Sequence, residues 1–263
     1  MTVAQVIRPS DAEVVELERI AAAAWPSPEQ AWAADGVLLR AGEGWTGRAN
    51  SALVLEAPVD PAAVAGQVLQ WYAERGLDAA ITVPLPVHEA VADILQADGW
   101  ATRVLVPVLT GGAHDALTRL PERHDLPPVR VTGTLTSEWM SIYRDGELPD
   151  VAQSILSGGD SAFGTIVLDG RVVAVGRVSL GGDWAGLTAI EVLPSMRRRG
   201  LGSHLVRGLI AWAHERAASR LWLQVGPENQ PALELYRAAG FVVHHQYRVL
   251  TAPERQLAHG GCS

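Results

Sequence analysis

Ile190-Glu191-Val192-Leu193-Pro194 runs into Arg197-Arg198-Arg199-Gly200-Leu201-Gly202-Ser203, and the reading of the whole chain turns on this stretch. The apolar, β-type run stops at Pro194 and crosses a basic turn punctuated by Gly200 and Gly202. It then enters a segment where Leu201, Leu205, Leu209, Trp212 or Ala213, and Ala217 recur at helical spacing. A helix leaving such a turn presents backbone N–H groups without intrahelical partners, and its dipole favours negative charge at that end. The expected feature is a phosphate seat.

Two nucleotide seats are excluded by the residues present. A lysine-bearing phosphate loop ends in Gly-Lys-Ser/Thr, and the chain has no lysine; nor are there the three spaced glycines of a dinucleotide fingerprint. What does match is Arg197-x-x-Gly200-x-Gly202, which resembles the acyl-CoA loop of the GNAT superfamily of N-acetyltransferases. The resemblance continues through Leu221-Trp222-Leu223-Gln224-Val225, Asn229 and Leu235-Tyr236-Arg237-Ala238-Ala239-Gly240-Phe241, covering residues 129–250. It implies acetyl-CoA as cosubstrate, no metal, and two strands ending near Val192 and Val225 that splay around the CoA arm. By the same resemblance Val192, Arg197, Arg198, Arg199, Gly200, Leu201, Gly202, Ser203 and Asn229 hold the CoA.

Acetyl transfer from a thioester to an amine needs a neutral nucleophile, donors for the charge developing on the carbonyl oxygen, and a proton for the departing thiolate. Tyr236 is the candidate proton donor, since a phenol with pKa of about 10 is protonated at neutral pH. Glu191, beside the strand break, is the candidate base, acting through water. Some N-terminal acetyltransferases of the superfamily carry Glu where this chain has Gln224, and an amide cannot act as a base. Asp145, Glu147, Asp150 and Asp160 border the region where such enzymes take their acceptor. His204, His214, His244 and His245 form no metal-binding spacing.

Around this core the pattern alternates strands and helices. Strands are expected over 129–135, 162–168, 171–180, up to 192, 221–225 and 241–250, with helices around 137–143 and 149–156, Asp169-Gly170 as a hairpin signal and Pro231 opening a helix that Gly240 ends. The first half repeats the order: strands over 37–40, 49–55, 79–83 and 101–109, with helices over 60–75 and 87–98. It lacks the glycine loop, having Ala57-Pro58-Val59-Asp60 there, and Leu95 stands where the second half has Tyr236. The expected fold is therefore α+β, two tandem GNAT-like domains, each a mixed, mostly antiparallel sheet flanked by helices. The boundaries are a degenerate domain at 1–112, a linker at 113–128, a catalytic domain at 129–252 and a flexible tail at 253–263. The polar island Gly44-Trp45-Thr46-Gly47-Arg48-Ala49-Asn50-Ser51 either binds an anionic or amide part of a substrate or stabilises a turn and an interdomain contact.

A chain of 263 residues that is 48% hydrophobic and 19% charged can bury a substantial core, and its net charge of -8 argues against a nucleic-acid partner. The single Cys262 allows no intrachain disulfide, the first residues do not resemble a signal peptide, and no apolar run reaches membrane-spanning length. A cytoplasmic enzyme is expected, working without nucleic acid or membrane, with a homodimer compatible with the sequence. Its expected activity is transfer of acetyl from acetyl-CoA to a primary amine of a small molecule by direct attack on the thioester. A protein Lys or N-terminus is the alternative acceptor, and a CoA-binding sensor or scaffold is the non-enzymatic alternative.

Overall fold

The computed structural model describes residues 9–33 and 36–253, so the expected tail beyond 253, with Cys262, lies outside the described residues. The first half runs α1 (Asp11–Ala24), β1 (Glu29–Ala33), β2 (Val37–Ala41), β3 (Ala52–Val54), α2 (Pro61–Ala73), β4 (Ala80–Leu85), α3 (Glu89–Ala97) and β5 (Ala101–Gly112). The second runs α4 (Ala113–Arg119), β6 (Arg130–Thr132), α5 (Ser137–Ile142), α6 (Val151–Leu156), β7 (Asp160–Leu168), β8 (Arg171–Gly181) and β9 (Trp184–Val192). It continues through α7 (Leu201–His214), β10 (Arg220–Gln224), α8 (Gln230–Ala238) and β11 (Val242–Thr251).

Local chemistry sets most of these boundaries. Ser10 and Glu13 form a reciprocal capping box that starts α1. Asp60 caps α2, with Pro61 at the first helical position. Asp169 and Gly170 both adopt positive φ, 51° and 75°, as the tight turn between β7 and β8 requires. Of these elements α1, β1 and α4 carry no expectation from the sequence reading, α1 because its acidic, alanine-rich segment has a weak apolar stripe.

The eleven strands among the described residues form one sheet, in the order β1-β2-β3-β4-β11-β5-β10-β9-β8-β7-β6. Pairing is parallel only between β3 and β4 and between β9 and β10. The mixed, mostly antiparallel sheet flanked by helices is thus as expected. The two halves have exchanged their last strands: β5 pairs with β10 of the second half, while β11 pairs with β4 of the first, and β5 and β11 pair with each other. The stretch expected as a linker is a correction. Residues 113–119 form α4 directly after β5, and Ala113, Ala116 and Leu120 are buried in the core beside α7, because β5 delivers the chain to that helix.

Side chains alternate across the sheet. In β10, Leu221 and Leu223 join the α7 and α8 core, whereas Trp222 joins Leu17, Ala21 and Ala24 of α1 on the other face. In β8, Ala174 faces α7 and Val175 packs with Trp139 and Ile155 of α5 and α6. Helices α2 and α3 cover the β3 and β4 region with Tyr72, Val68 and Leu95. One face therefore carries α2, α3, α7 and α8, and the other α1, α5 and α6.

Candidate active site

The parallel ladder between β9 and β10 ends at Leu187 opposite Leu223. Beyond it β9 runs on to Val192, held only by β8, while Gln224 of β10 pairs with Val108 of β5. A wedge opens between the two strands. The divergence is helped by a bulge in β9, where Ala189 and Ile190 stand opposite Gly176 alone and Ala189 has φ 52°. A Cβ on Gly176 would lie 2.7 Å from the Ile190 side chain and 2.8 Å from Leu209, so the bulge packs against α7 only because that residue is glycine.

At the end of β9, Leu193 N–H bonds the Val173 carbonyl at 3.0 Å and the Arg197 Nε bonds the Val192 carbonyl at 3.1 Å, which fixes the entry of the basic turn. Arg198 at φ 65° and Gly200 at φ 81° swing the chain into α7. The Leu201, Gly202 and Ser203 N–H groups stand in the first turn of that helix, where no intrahelical carbonyl reaches them. Ser203 Oγ donates to the Gly200 carbonyl at 2.9 Å. Gly202 has room: a Cβ there would meet only Leu235 at 3.5 Å and Val192 at 3.8 Å. Arg197, Arg198 and Arg199 are exposed around the seat. Arg123, held by Asp125 at 2.6 and 2.7 Å, arrives from the chain between α4 and β6, its Nη1 so near Gly200 that a Cβ there would collide with it. The sequence reading missed Arg123, which lies far away along the chain.

Val192 and Glu191 alternate across β9. Val192 lies at the margin of the core that holds Leu201, Val225 and Tyr236. Tyr236 is 6% exposed, with its ring 5.6 Å from that of Phe241, and burial pushes its phenol well above the usual range. Asn229 caps α8, accepting the Ala232 N–H at 3.3 Å. Glu191, in contrast, points to the α5 side, where its carboxylate accepts the Arg144 N–H at 2.9 Å. That bond ties the end of β9 to the 143–146 turn, whose Tyr143 packs edge-on against Trp45 of the first half. The start of α7, Val192 and Tyr236 thus share one face of the wedge, and Glu191 takes the other.

On Glu191's face the protein encloses a cavity of about 130 Å³ lined by Glu18, Trp25, Arg40, Arg48, Arg103, Tyr247 and Gln224 among others. Gln224 connects it to the wedge, and Tyr247 donates to its Oε1 at 3.4 Å. Within the polar island, Asn50 is a turn residue, accepting from Gly42 and Gly44 N–H at 2.8 and 2.9 Å, whereas Arg48 faces the cavity. Behind Glu18 a chain of contacts leads outward: Glu18 Oε1 to His245 Nε2, then His245 Nδ1 to His244 Nδ1, each 2.8 Å. Burial lowers the His244 imidazole to about 4. A larger groove of about 580 Å³ flanks α7 under the 122–131 segment but is lined by neither Glu191, Gln224 nor Tyr236. Among the described residues no group of three or more His, Cys, Asp or Glu side chains is placed to hold a metal ion. No helix among them is long and apolar enough to cross a membrane.

Residues 11–250 match the sequence family described as "Probable histone acetyltransferase Rv0428c C-terminal". A relative, the probable histone acetyltransferase Rv0428c of Mycobacterium tuberculosis (strain ATCC 25618 / H37Rv), is 30% identical over 247 residues, which is 92% of this chain and 74% of the relative. Among solved structures, a GCN5-related N-acetyltransferase from Kribbella flavida superposes with a TM-score of 0.71 at 21% identity, over 93% of this chain and 97% of its own. A tandem GNAT protein from the clavulanic acid biosynthesis pathway superposes with a TM-score of 0.65 at 15% identity, over 94% of this chain and 90% of its own.

Proposed function

We propose, because the chain belongs to the Rv0428c C-terminal family and is an acyltransferase of the GNAT type, that it moves the acetyl group of acetyl-CoA to the primary amine of a small molecule. The observation carrying the small-molecule reading is the cavity at Gln224. At about 130 Å³, walled by α1, the 40–48 stretch, β5 and β11, it is of a size to take a compact group. A cytoplasmic site of action accompanies this reading, the lone Cys262 providing no disulfide framework.

The unpaired N–H groups at the start of α7 and the open space beside Gly202 fit a pyrophosphate. Arg197, Arg198, Arg199, Gly200, Leu201, Gly202 and Ser203 would hold it, with Val192 and Asn229 flanking the pantetheine arm. When bound, acetyl-CoA supplies a thioester carbonyl for the amine to attack and a thiolate to leave. Backbone amides near Glu191 and Val192 stabilise the charge developing on the carbonyl oxygen. Glu191, anchored by the Arg144 N–H, takes the amine proton through water. Tyr236, kept protonated by its buried setting, donates to the departing thiolate.

Acetylation of a protein Lys or N-terminus is the second reading, favoured by the name its mycobacterial relative carries. Thiol release from acetyl-CoA, measured over a panel of small primary amines, peptides with a free N-terminus or Lys, and histones, separates the two. Turnover with small amines and none with peptides is the expected result. Turnover with peptides alone establishes the second reading. Tight acetyl-CoA binding with no thiol release from any acceptor makes the chain a CoA sensor.

A further inference from the structure

Three guanidinium groups converge on the cavity at Gln224: Arg40 from β2, Arg48 from the turn after it, and Arg103 from β5. Arg40 is 5% exposed; its Nε and Nη2 donate to the Ser51 carbonyl and hydroxyl at 2.9 and 3.0 Å. Arg48 lies over the Trp25 ring, its Cζ 4.9 Å from the centroid, and its buried Nη1 has no hydrogen-bond partner. Arg103 is exposed and reaches across to Gly47, where a Cβ would stand 3.9 Å from its Nη1.

Among the described residues none of the three forms an ion pair with a carboxylate. Among the described residues the one acidic side chain lining the cavity, Glu18, is bonded to His245. An arginine side chain cannot shed its proton to escape burial, so the cavity holds an excess of positive charge inside a chain whose net charge is -8. Uncompensated charge is costly where it is withdrawn from water, as at Arg40 and at the buried Nη1 of the half-buried Arg48, and the Trp25 ring face offsets it only in part. The excess is explained if the missing counter-charge arrives with the substrate. Guanidinium forks match the oxygens of a carboxylate or phosphate in pairs, which a point-charge ammonium does not.

We propose that this cavity is the seat for an oxyanion, carboxylate or phosphate, at the far end of the acceptor, so that the substrate is an amine bearing its own anionic group. The proposal rests on the acetyltransferase reading and deepens it. The anion sits among Arg40, Arg48 and Arg103, and the amine lies towards the wedge at Gln224. The two halves then divide the chemistry, the second binding acetyl-CoA and the first selecting the acceptor through Arg40, Arg48 and Arg103.

Matched amine pairs test it. Thiol release is compared for amino acids against their primary amides, and for aminoalkyl phosphates against the parent amino alcohols. The anionic member is expected to exceed its neutral partner in kcat/KM by about 10- to 100-fold, as one charge-assisted contact implies. Which pair shows the preference tells carboxylate from phosphate. The ratio should collapse towards one in Arg48→Met and in Arg103→Met, the latter replacing an exposed side chain so that folding is not at stake. Equal rates for both members of every pair overturn the anion seat and leave acetyl transfer standing. Absence of thiol release from every amine defeats the acetyltransferase reading instead, and binding then decides the seat. Succinate or inorganic phosphate, at matched ionic strength, should raise the Tm of the wild type and not of Arg103→Met; no difference between the two overturns it.

Discussion

Tyr236 has its hydroxyl in surroundings that favour the neutral phenol, with Leu233, Phe241 and Leu201 in the same core. Burial raises its pKa from an ordinary value of about 10, so the group holds its proton across the physiological range and meets the thiolate as a neutral donor, though a weaker acid than a free phenol. Tyr236→Phe keeps the ring and removes only the donor. Turnover should fall by about 100- to 10,000-fold while acetyl-CoA affinity is unchanged, as read by steady-state kinetics beside calorimetry. A wild-type kcat in the variant, with chemistry rate-limiting, would make Tyr236 a core aromatic and no more. This residue was legible because a phenol three residues before an Ala-Gly-Phe helix ending is a local pattern. Arg177 was not. It sits in an apolar strand, is 0% exposed, and donates to the Leu156, Ala24 and Gly158 carbonyls and to the Ser161 and Thr188 hydroxyls at 2.5 to 3.2 Å. Its acceptors come from both halves, and only the folded chain assembles them around one guanidinium.

Elements act through their ends. Helix α7 offers its first-turn N–H groups beside the open space at Gly202, and the same end is pinned to β9 by the Arg197 bond to the Val192 carbonyl. Gly202→Glu places a carboxylate in that space without a backbone clash, since a Cβ there meets nothing closer than 3.5 Å. The variant should fold with an unchanged far-UV spectrum and lose acetyl-CoA binding by at least about 100-fold in calorimetry, because several charge-assisted bonds of roughly 1.5 to 3 kcal/mol each are blocked and like charge is added. Unaltered affinity in the folded variant removes the CoA assignment from this helix. The turn that opens α7 was readable from Arg197-x-x-Gly200-x-Gly202, a pattern of neighbours. The bulge at Ala189 was not, because it depends on Ile190 and Leu209 closing over Gly176 from two other elements.

At the scale of the molecule the exchange of β5 and β11 makes the halves one sheet. Without β5, strand β10 loses its antiparallel partner over five residue pairs, and β11 loses the neighbour that joins it to β10. Exposed strand edges of this kind template aggregation. Residues 113–263 expressed alone should therefore be insoluble or associate through β10, and 1–112 alone should bind no acetyl-CoA. The two pieces expressed together should recover a soluble complex that binds it, seen by light scattering and calorimetry. A soluble 113–263 piece with full activity would sink the claim that the first half completes the second.

What the sequence determined by itself is whatever neighbours along the chain decide: most of the alternation of strands and helices, the start of α2 at Asp60, the Asp169-Gly170 turn, and the basic glycine turn that opens α7, from which the acetyl-CoA end of the proposed chemistry was read. These rest on hydrogen bonds and dihedral limits spanning a few residues, which residue type encodes directly. The tertiary structure alone decided which edge each last strand would fill. Residues 101–112 and 242–251 have similar apolar patterns, and nothing local distinguishes a partner within the same half from one in the other. It alone also gathered Glu18, Arg40, Arg48, Arg103 and Gln224 around one cavity. Long-range packing brings these five together, and each taken singly reads as an ordinary helix, strand or turn residue, because the charge excess exists only once Arg40, buried, and Arg48, half-buried, stand beside Arg103 at the cavity's exposed side.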